Sequence, residues 1–322
     1  MTSIKNIKYD NTKGSTRLDF NISGNDINYI VVNTLRRMIL SEIPIYAFTH
    51  FNFNKNTSVF HNNFIKNQIK NIPVWGINNK IEYYEKNKII DNDVIDEIED
   101  LEDNVDLSTD KKVNSNSLEQ LTMYVEYDNK SNELFTVTTN HAKFYFSQKQ
   151  IDNPYNIPIQ LVKLQPYQSI NFSVVTSIDI ENNSSLFSPV SICCYDEIKD
   201  NEFNFSIESR GQLIEKRIIH VAILNLKKKL ENLVNQITDN GELIGEIQIN
   251  NEDHTIGNLI THHLQNHKNI QFAGYHMPHP LEKRVIISYK LKSGKFKDIF
   301  ESIIKDIIEL FNDIDKKVDK SM

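Results

Sequence analysis

Two stretches of this chain place apolar residues at every third or fourth position for many turns, and each needs a partner along its whole length. The first follows Gly211 and runs to about Ile237; its stripe is Ile219, Ala222, Ile223, Leu226, Leu230, Leu233, Val234 and Ile237, with Lys227, Lys228, Lys229 and Glu231 off the seam. The second follows the KSGK turn and carries Phe296, Ile299, Phe300, Ile303, Ile307, Leu310, Phe311, Ile314 and Val318. No other stretch offers an apolar stripe of that length. The two helices are expected to pack on each other, with Ile223, Leu226, Leu230 and Leu233 facing Ile299, Ile303, Ile307 and Leu310; the alternative is two unrelated core helices.

The elements before each long helix repeat a plan. RLDFNI (17–22) alternates as a strand with one buried face, SGND supplies capping residues, and a helix is expected from about Asp26 to Ile43, closed by Pro44. FNFSIES (203–209) then alternates before the first long helix. After TDNG (238–241) the plan restarts: strand LIGEIQI (243–249), capping cluster NEDHT, a helix from about Thr255 to Asn266, strands around IQFAGY and RVIISYKL, and the closing helix. The expected fold class is α+β, with two β-α-β-α units paired inside one chain. The first unit comprises 1–44 and 203–237, and the second 238–322. Between the parts of the first lies an insert, 45–202, that reads as mostly β. In it LTMYVEY and LFTVTT bracket DNKSNE as a hairpin, and INFSVVTSIDI is a long strand. An acidic loop spans about 85–117; DNDVIDEIEDLEDNVDLSTD (91–110) reads as a mobile surface segment and lacks the calcium-loop spacing and glycine.

On a helical wheel, Ile27, Val31, Val32, Leu35, Met38 and Ile39 form the core face of the first helix. Asn33 and Arg37 lie opposite, with Arg36 on the flank and Ile30 and Leu40 nearby. Arginine among aliphatics marks a protein contact patch, where a planar guanidinium can hold carboxylates or carbonyls at two points. The alternative is a solvated arginine pair beside incidental aliphatics.

A formal charge of -7 argues against a chain that grips nucleic acid along its own surface, because neutralising phosphates needs a basic field. The adjacent Cys193 and Cys194 offer no CxxC pair for zinc and read as free, buried thiols. His254, His262, His263, His267, His276 and His279 crowd the end of the chain, His263 and His267 on one helical face, but HExxH is absent; capping, exposed helical and turn roles account for them. No nucleophile triad, phosphate loop or magnesium-holding DxDGD cluster occurs. Neither catalytic residues, metal nor cofactor is expected. No apolar run is long enough to span a bilayer, and the N-terminus lacks the apolar core of a secretory signal.

SGNDINYIVVNTLRRMILSEIP resembles the helix of the α-like RNA polymerase subunits, with the N-x-L-R-R…L-x-E-[IV]-P pattern met by Asn33, Leu35, Arg36, Arg37, Glu42 and Pro44. NTSVFHNNFIKNQIKNIPV (56–74) is similar to a further stretch of that family in degraded form: Phe64, Ile65, Ile72 and Pro73 fit, while Asn62, Asn63, Asn67 and Gln68 replace its usual acidic, histidine and arginine residues. NEDHTIGNLI…IQFAGYHMPHPLEKRVIISYK resembles the small partner subunit, the eleventh subunit of eukaryotic polymerase II or archaeal subunit L. Asp253, His254, Thr255, Gly257, Asn258, Phe272, Gly274, Tyr275, Pro278, His279 and Pro280 carry that match, and Thr261 departs from a common arginine.

The resemblance implies a natural fusion of third-subunit-like and eleventh-subunit-like proteins. It implies a non-catalytic assembly platform that pairs its two halves through the long helices and docks the largest and second-largest polymerase subunits, with small subunits resembling the tenth and twelfth. DNA would be contacted only indirectly. Fusions of this kind, with the Asn, Ile and Lys bias, point to a large cytoplasmic DNA virus, with the protein in the host cytoplasm and in the virion. A stand-alone dimerising transcription regulator is the rival reading.

Overall fold

A computed structural model describes residues 2–12, 15–75, 77, 120–147, 149–237 and 242–321. The expected acidic loop and the TDNG linker lie outside the described residues. The chain forms two compact units: 1–45, 73–82 and 179–322 make the first, and 46–72 with 83–178 the second.

The first unit contains two topologically equivalent halves. In the N-terminal half, β1 (Ser3–Thr12) and β2 (Ser15–Ser23) precede α1 (Tyr29–Ser41); β10 (Val190–Lys199), β11 (Glu202–Ser209) and α3 (Glu215–Gln236) follow. Its sheet order is β1-β2-β11-β10, antiparallel throughout. In the C-terminal half, β12 (Ile244–Asn250) precedes α4 (His254–Asn266), then come β13 (Ile270–His276), β14 (Arg284–Leu291) and α5 (Phe296–Ser321), and the sheet order is β12-β14-β13. Thus β2, α1, β10, β11 and α3 correspond to β12, α4, β13, β14 and α5. Strand β10 corrects the expected insert boundary at 202: its pairing with β11 makes it the counterpart of β13.

Helices α3 and α5 pack together, and their polar edges show them antiparallel: Lys216 Nζ lies 3.3 Å from Asp319 Oδ1, and His220 Nδ1 2.9 Å from Asp315 Oδ2. Ile223, Leu226, Leu230, Leu233, Ile299, Ile303 and Ile307 are all buried. Leu310 is only half-buried, whereas Ile304, off the expected stripe, is buried. A straight α-helix falls about 20° short of two full turns every seven residues, so the seam drifts across its surface. α3 is buried on more than one face, because it also packs on β2, β11 and α1.

Helix α1 begins later than the capping cluster suggests. Asn28 is the N-cap, its Oδ1 accepting hydrogen bonds from Ile30 N and Val31 N at 2.9 and 3.0 Å. The C-terminal carbonyls end at Glu42, whose own carbonyl accepts from Asn225 Nδ2 at 2.6 Å.

The second unit holds β3 (Ile45–Asn56, all but its first residue), α2 (Asn62–Lys70), β4 (Leu121–Asp128), β5 (Phe135–Thr138), β6 (Ala142–Phe146), β7 (Lys149–Ile151), β8 (Gln160–Leu164) and most of β9 (Ser169–Asp179). Its sheets are β3-β9-β4-β6-β7 and β5-β8. The expected hairpin across DNKSNE does not form, since β4 pairs with β6 and β9, and β5 with β8. Asn129 holds that connection, its Nδ2 donating to the carbonyls of Glu133, Leu164 and Gln165.

Candidate subunit interface

Helices α1 and α4 lie against each other in opposite directions. Near one end Asn28 Nδ2 meets His262 Nε2 at 3.1 Å; at the other Arg37 Nη2 donates to Asp253 Oδ2 at 2.6 Å. Asn28 Oδ1 is occupied by two backbone amides, so its Nδ2 must donate, and His262 Nε2 must accept. Burial and neighbouring His263 hold the His262 pKa below its usual value, in keeping with that neutral state.

Asp253 caps α4 through Oδ1, which accepts from Thr255 N at 2.7 Å, while Oδ2 takes the Arg37 guanidinium. Burial raises its pKa, but the Thr255 hydrogen bonds and Arg37 outweigh that and hold it below the usual carboxylate range. Arg37 and Asp253 each keep more than two fifths of their side chains exposed, so the pair contributes well under about 1 kcal/mol.

Beside it lies a drier group. Lys229 Nζ, on α3, lies 3.0 Å from Glu42 Oε1 and 3.4 Å from Glu252 Oε2, and all three side chains are mostly buried. Burial lowers the Lys229 pKa, but the two carboxylates outweigh it and raise it. Burial, with Glu42 and Asp253, pushes Glu252 up to about 7 against the pull of Lys229. This group ties the end of α1 and the middle of α3 to the entrance of α4.

The sequence-marked residues divide into three sets. Leu35, Pro44, Thr255 and Gly257 are buried, and Glu42 is engaged by Lys229. A Cβ on Gly257 would come 2.8 Å from Tyr275 Cδ2 and 2.9 Å from Val285 Cγ1, so the glycine permits α4 to lie close on its sheet. Asn33, Arg36 and Asn258 are half-exposed, with Arg36 Nε donating to Asn33 Oδ1 at 3.1 Å. Phe272, Pro278, His279 and Pro280 are exposed, and Tyr275 is half-buried with its ring 5.8 Å from that of His254. Gly274 permits Phe272 to fold over the strand, since a Cβ there would meet the ring at 3.2 Å.

The expected back of α1 is narrower than the wheel implied. Ile30 and Thr34 are buried, because β10 and α4 flank the helix. Arg37 reaches across to the other half instead of standing open. Tyr29, 57 % exposed, and Leu281, 89 % exposed, lie outside the sequence-marked set. Cys193 is buried and its thiol pushed up to about 12, chiefly by burial, but Cys194 is exposed, as alternation along β10 requires. His267 caps α4 in an extended conformation, so it shares no helical face with His263. Among the described residues, no group of three or more His, Cys, Asp or Glu could hold a metal ion, and no helix is long and apolar enough to cross a membrane.

Comparison with known proteins gives a consistent result. A protein of Acanthamoeba polyphaga mimivirus assigned as a DNA-directed RNA polymerase subunit is 24% identical over 333 residues, covering 93% of this chain and 89% of its own. The Caenorhabditis elegans protein assigned as subunit RPAC2 of DNA-directed RNA polymerases I and III is 34% identical over 71 residues, 22% of this chain and 49% of its own. Subunit Rpo11 of the Saccharolobus solfataricus DNA-directed RNA polymerase is 45% identical over 42 residues, 13% of this chain and 46% of its own. Family profiles described as the RNA polymerase Rpb3/Rpb11 dimerisation domain match twice, over residues 20–230 and again over 245–317. With that match spanning both helix-paired halves, the chain belongs to the RNA polymerase Rpb3/Rpb11 dimerisation-domain family.

Proposed function

We propose that this chain is the assembly platform of a multisubunit viral DNA-directed RNA polymerase, a subunit that carries both members of a dimer in one polypeptide. The observation that carries the reading is the pairing of two family domains within one compact unit, through α3 with α5 and α1 with α4. Joining the halves covalently raises the effective concentration of each for the other and prevents pairing with a wrong partner. The half-exposed Asn33 and Arg36 on α1 then receive the second-largest subunit. The exposed Phe272, Pro278, His279 and Pro280, with Tyr275 beside His254, receive the largest. Small subunits resembling the tenth and twelfth join them, and the complex works in the host cytoplasm and is packaged in the virion.

The test is affinity purification of the tagged chain from cells that make the whole polymerase. Both large subunits should co-purify. Arg36→Glu should leave folding intact, because its side chain meets only Asn33 among the hydrogen bonds above, and should abolish recovery of the second-largest subunit. Recovery of the unaltered chain as a lone, stable monomer refutes the reading.

A further inference from the structure

Among the described residues, the correspondence between the halves leaves one element, β1, without a counterpart. In the N-terminal half β1 pairs antiparallel with β2 and packs against α5, the long helix of the other half. In the C-terminal half β12, the counterpart of β2, is an outer strand; among the described residues no strand pairs with its free edge. That edge is well defined. Leu291 N donates to Leu243 O at 2.7 Å and Asn251 N to Lys283 O at 2.7 Å, and the register between them is unbroken. The odd-numbered residues from Leu243 to Asn251 therefore bond to β14, and Ile244, Glu246, Gln248 and Asn250 turn their amides and carbonyls outward. The edge starts with two exposed apolar side chains, Leu243 and Ile244, 55 % and 62 % exposed. Two exposed carboxylates, Glu242 and Glu246, flank them.

We propose that the edge of β12 is a strand acceptor that pairs antiparallel with an extended segment of another polymerase subunit, alternately apolar and polar and bearing lysine or arginine. The internal counterpart indicates what covers such an edge, since β1 occupies the equivalent position and carries Lys5 and Lys8 beside Ile4 and Ile7. Main-chain hydrogen bonds supply affinity in such a pairing, and alternate side chains supply choice of partner. The guest's apolar side extends the layer begun by the buried Ile247 and Ile249. Exchanging the halves carries the β1–α5 contact onto α3, so the guest also lies along α3. Its basic side chains meet Glu242 and Glu246. An uncovered edge of this length would otherwise invite pairing between copies. The source of the guest rests on the polymerase reading above; the edge itself does not.

Residue-resolved amide hydrogen exchange tests this on the isolated full chain and on the purified polymerase. In the isolated chain, Ile244, Glu246, Gln248 and Asn250 should exchange freely while Gly245, Ile247 and Ile249 are protected. In the polymerase the first four should slow on the order of 100-fold. Equal, rapid exchange at those four in a complex that does contain both large subunits overturns this inference and leaves the polymerase reading intact. Failure to recover any large subunit overturns that reading, and the guest loses its source with it. Protection that rises with concentration in the isolated chain, with a dimer by light scattering, assigns the edge to a second copy and also overturns the proposal. Gln248→Pro removes one outward amide and leaves the β14 ladder whole. It should fold and lose the protection of the other three in the complex; should it not fold, exchange in the unaltered chain still decides.

Discussion

Replacing Glu252 by glutamine should stabilise the first unit at alkaline pH. The carboxyl is 11 % exposed, shares Lys229 with Glu42, and has its pKa pushed from 4.5 to about 7. A folded-state pKa above the unfolded value means that the folded chain holds this proton more tightly. The resulting stabilisation is complete below about pH 4.5 and is lost as pH rises through about 7. A rise from 4.5 to about 7 corresponds to at most about 3 kcal/mol at about 1.36 kcal/mol per pH unit. Glutamine stays neutral and can still accept from Lys229, leaving one lysine against one glutamate. The parent should therefore lose stability between pH 5 and 8 through this group, and Glu252→Gln should lack that part of the slope. At pH 8 the variant should be more stable by about 1–3 kcal/mol, and at pH 5 nearly equal. Urea unfolding followed by fluorescence reports on the right unit, because Trp75 is the single tryptophan and its Nε1 donates to Arg210 O at 3.0 Å within it. Parallel pH slopes, or a variant less stable than the parent at pH 8, would refute the reasoning and show that the Lys229 attraction exceeds the burial cost.

Further outcomes follow from the same packing. Lys229→Met leaves Glu42 and Glu252 facing each other in a dry site and should cost about 3–5 kcal/mol at pH 8, read by the same unfolding assay. Leu230→Ala, at a fully buried position on α3, should cost about 2–5 kcal/mol. Gly257→Ala must displace the Tyr275 and Val285 side chains and should cost about 1–3 kcal/mol, with a change in tyrosine fluorescence that an effect on helix propensity alone would not produce. Asn28→Ala removes the α1 cap and the His262 contact and should cost about 1 kcal/mol by thermal unfolding.

Periodicity made both long helices and the strands that begin each half legible, because a 3.6- or 2-residue repeat is a local property that burial on one side imposes on the chain. The α+β class followed from it. Element ends were less legible: Asn28, and not the SGND residues before it, caps α1, since a cap is chosen by which side chain reaches two amides at once. The hairpin expected across DNKSNE failed for a similar reason. Two alternating strands joined by a polar turn form a hairpin only if no other strand competes, and β6, β8 and β9 do.

The amino-acid order alone determined that two apolar seams exist, that they lie in repeated surroundings, and that the polymerase-like signature stretches are present. It did not determine what those stretches touch. Arg37 finds Asp253, and Lys229 finds Glu42 and Glu252, only because α1, α3 and α4 converge; Asp253 and Glu42 lie 216 and 187 residues from their mates, and Glu252 belongs to the other half of the unit. Strand β10 likewise belongs to the first unit through its pairing with β11, although its sequence reads as part of the insert. Patterning specifies which face of an element is buried, whereas the neighbour that buries it is chosen by the competition among all the faces at once, and that choice exists only in the folded chain.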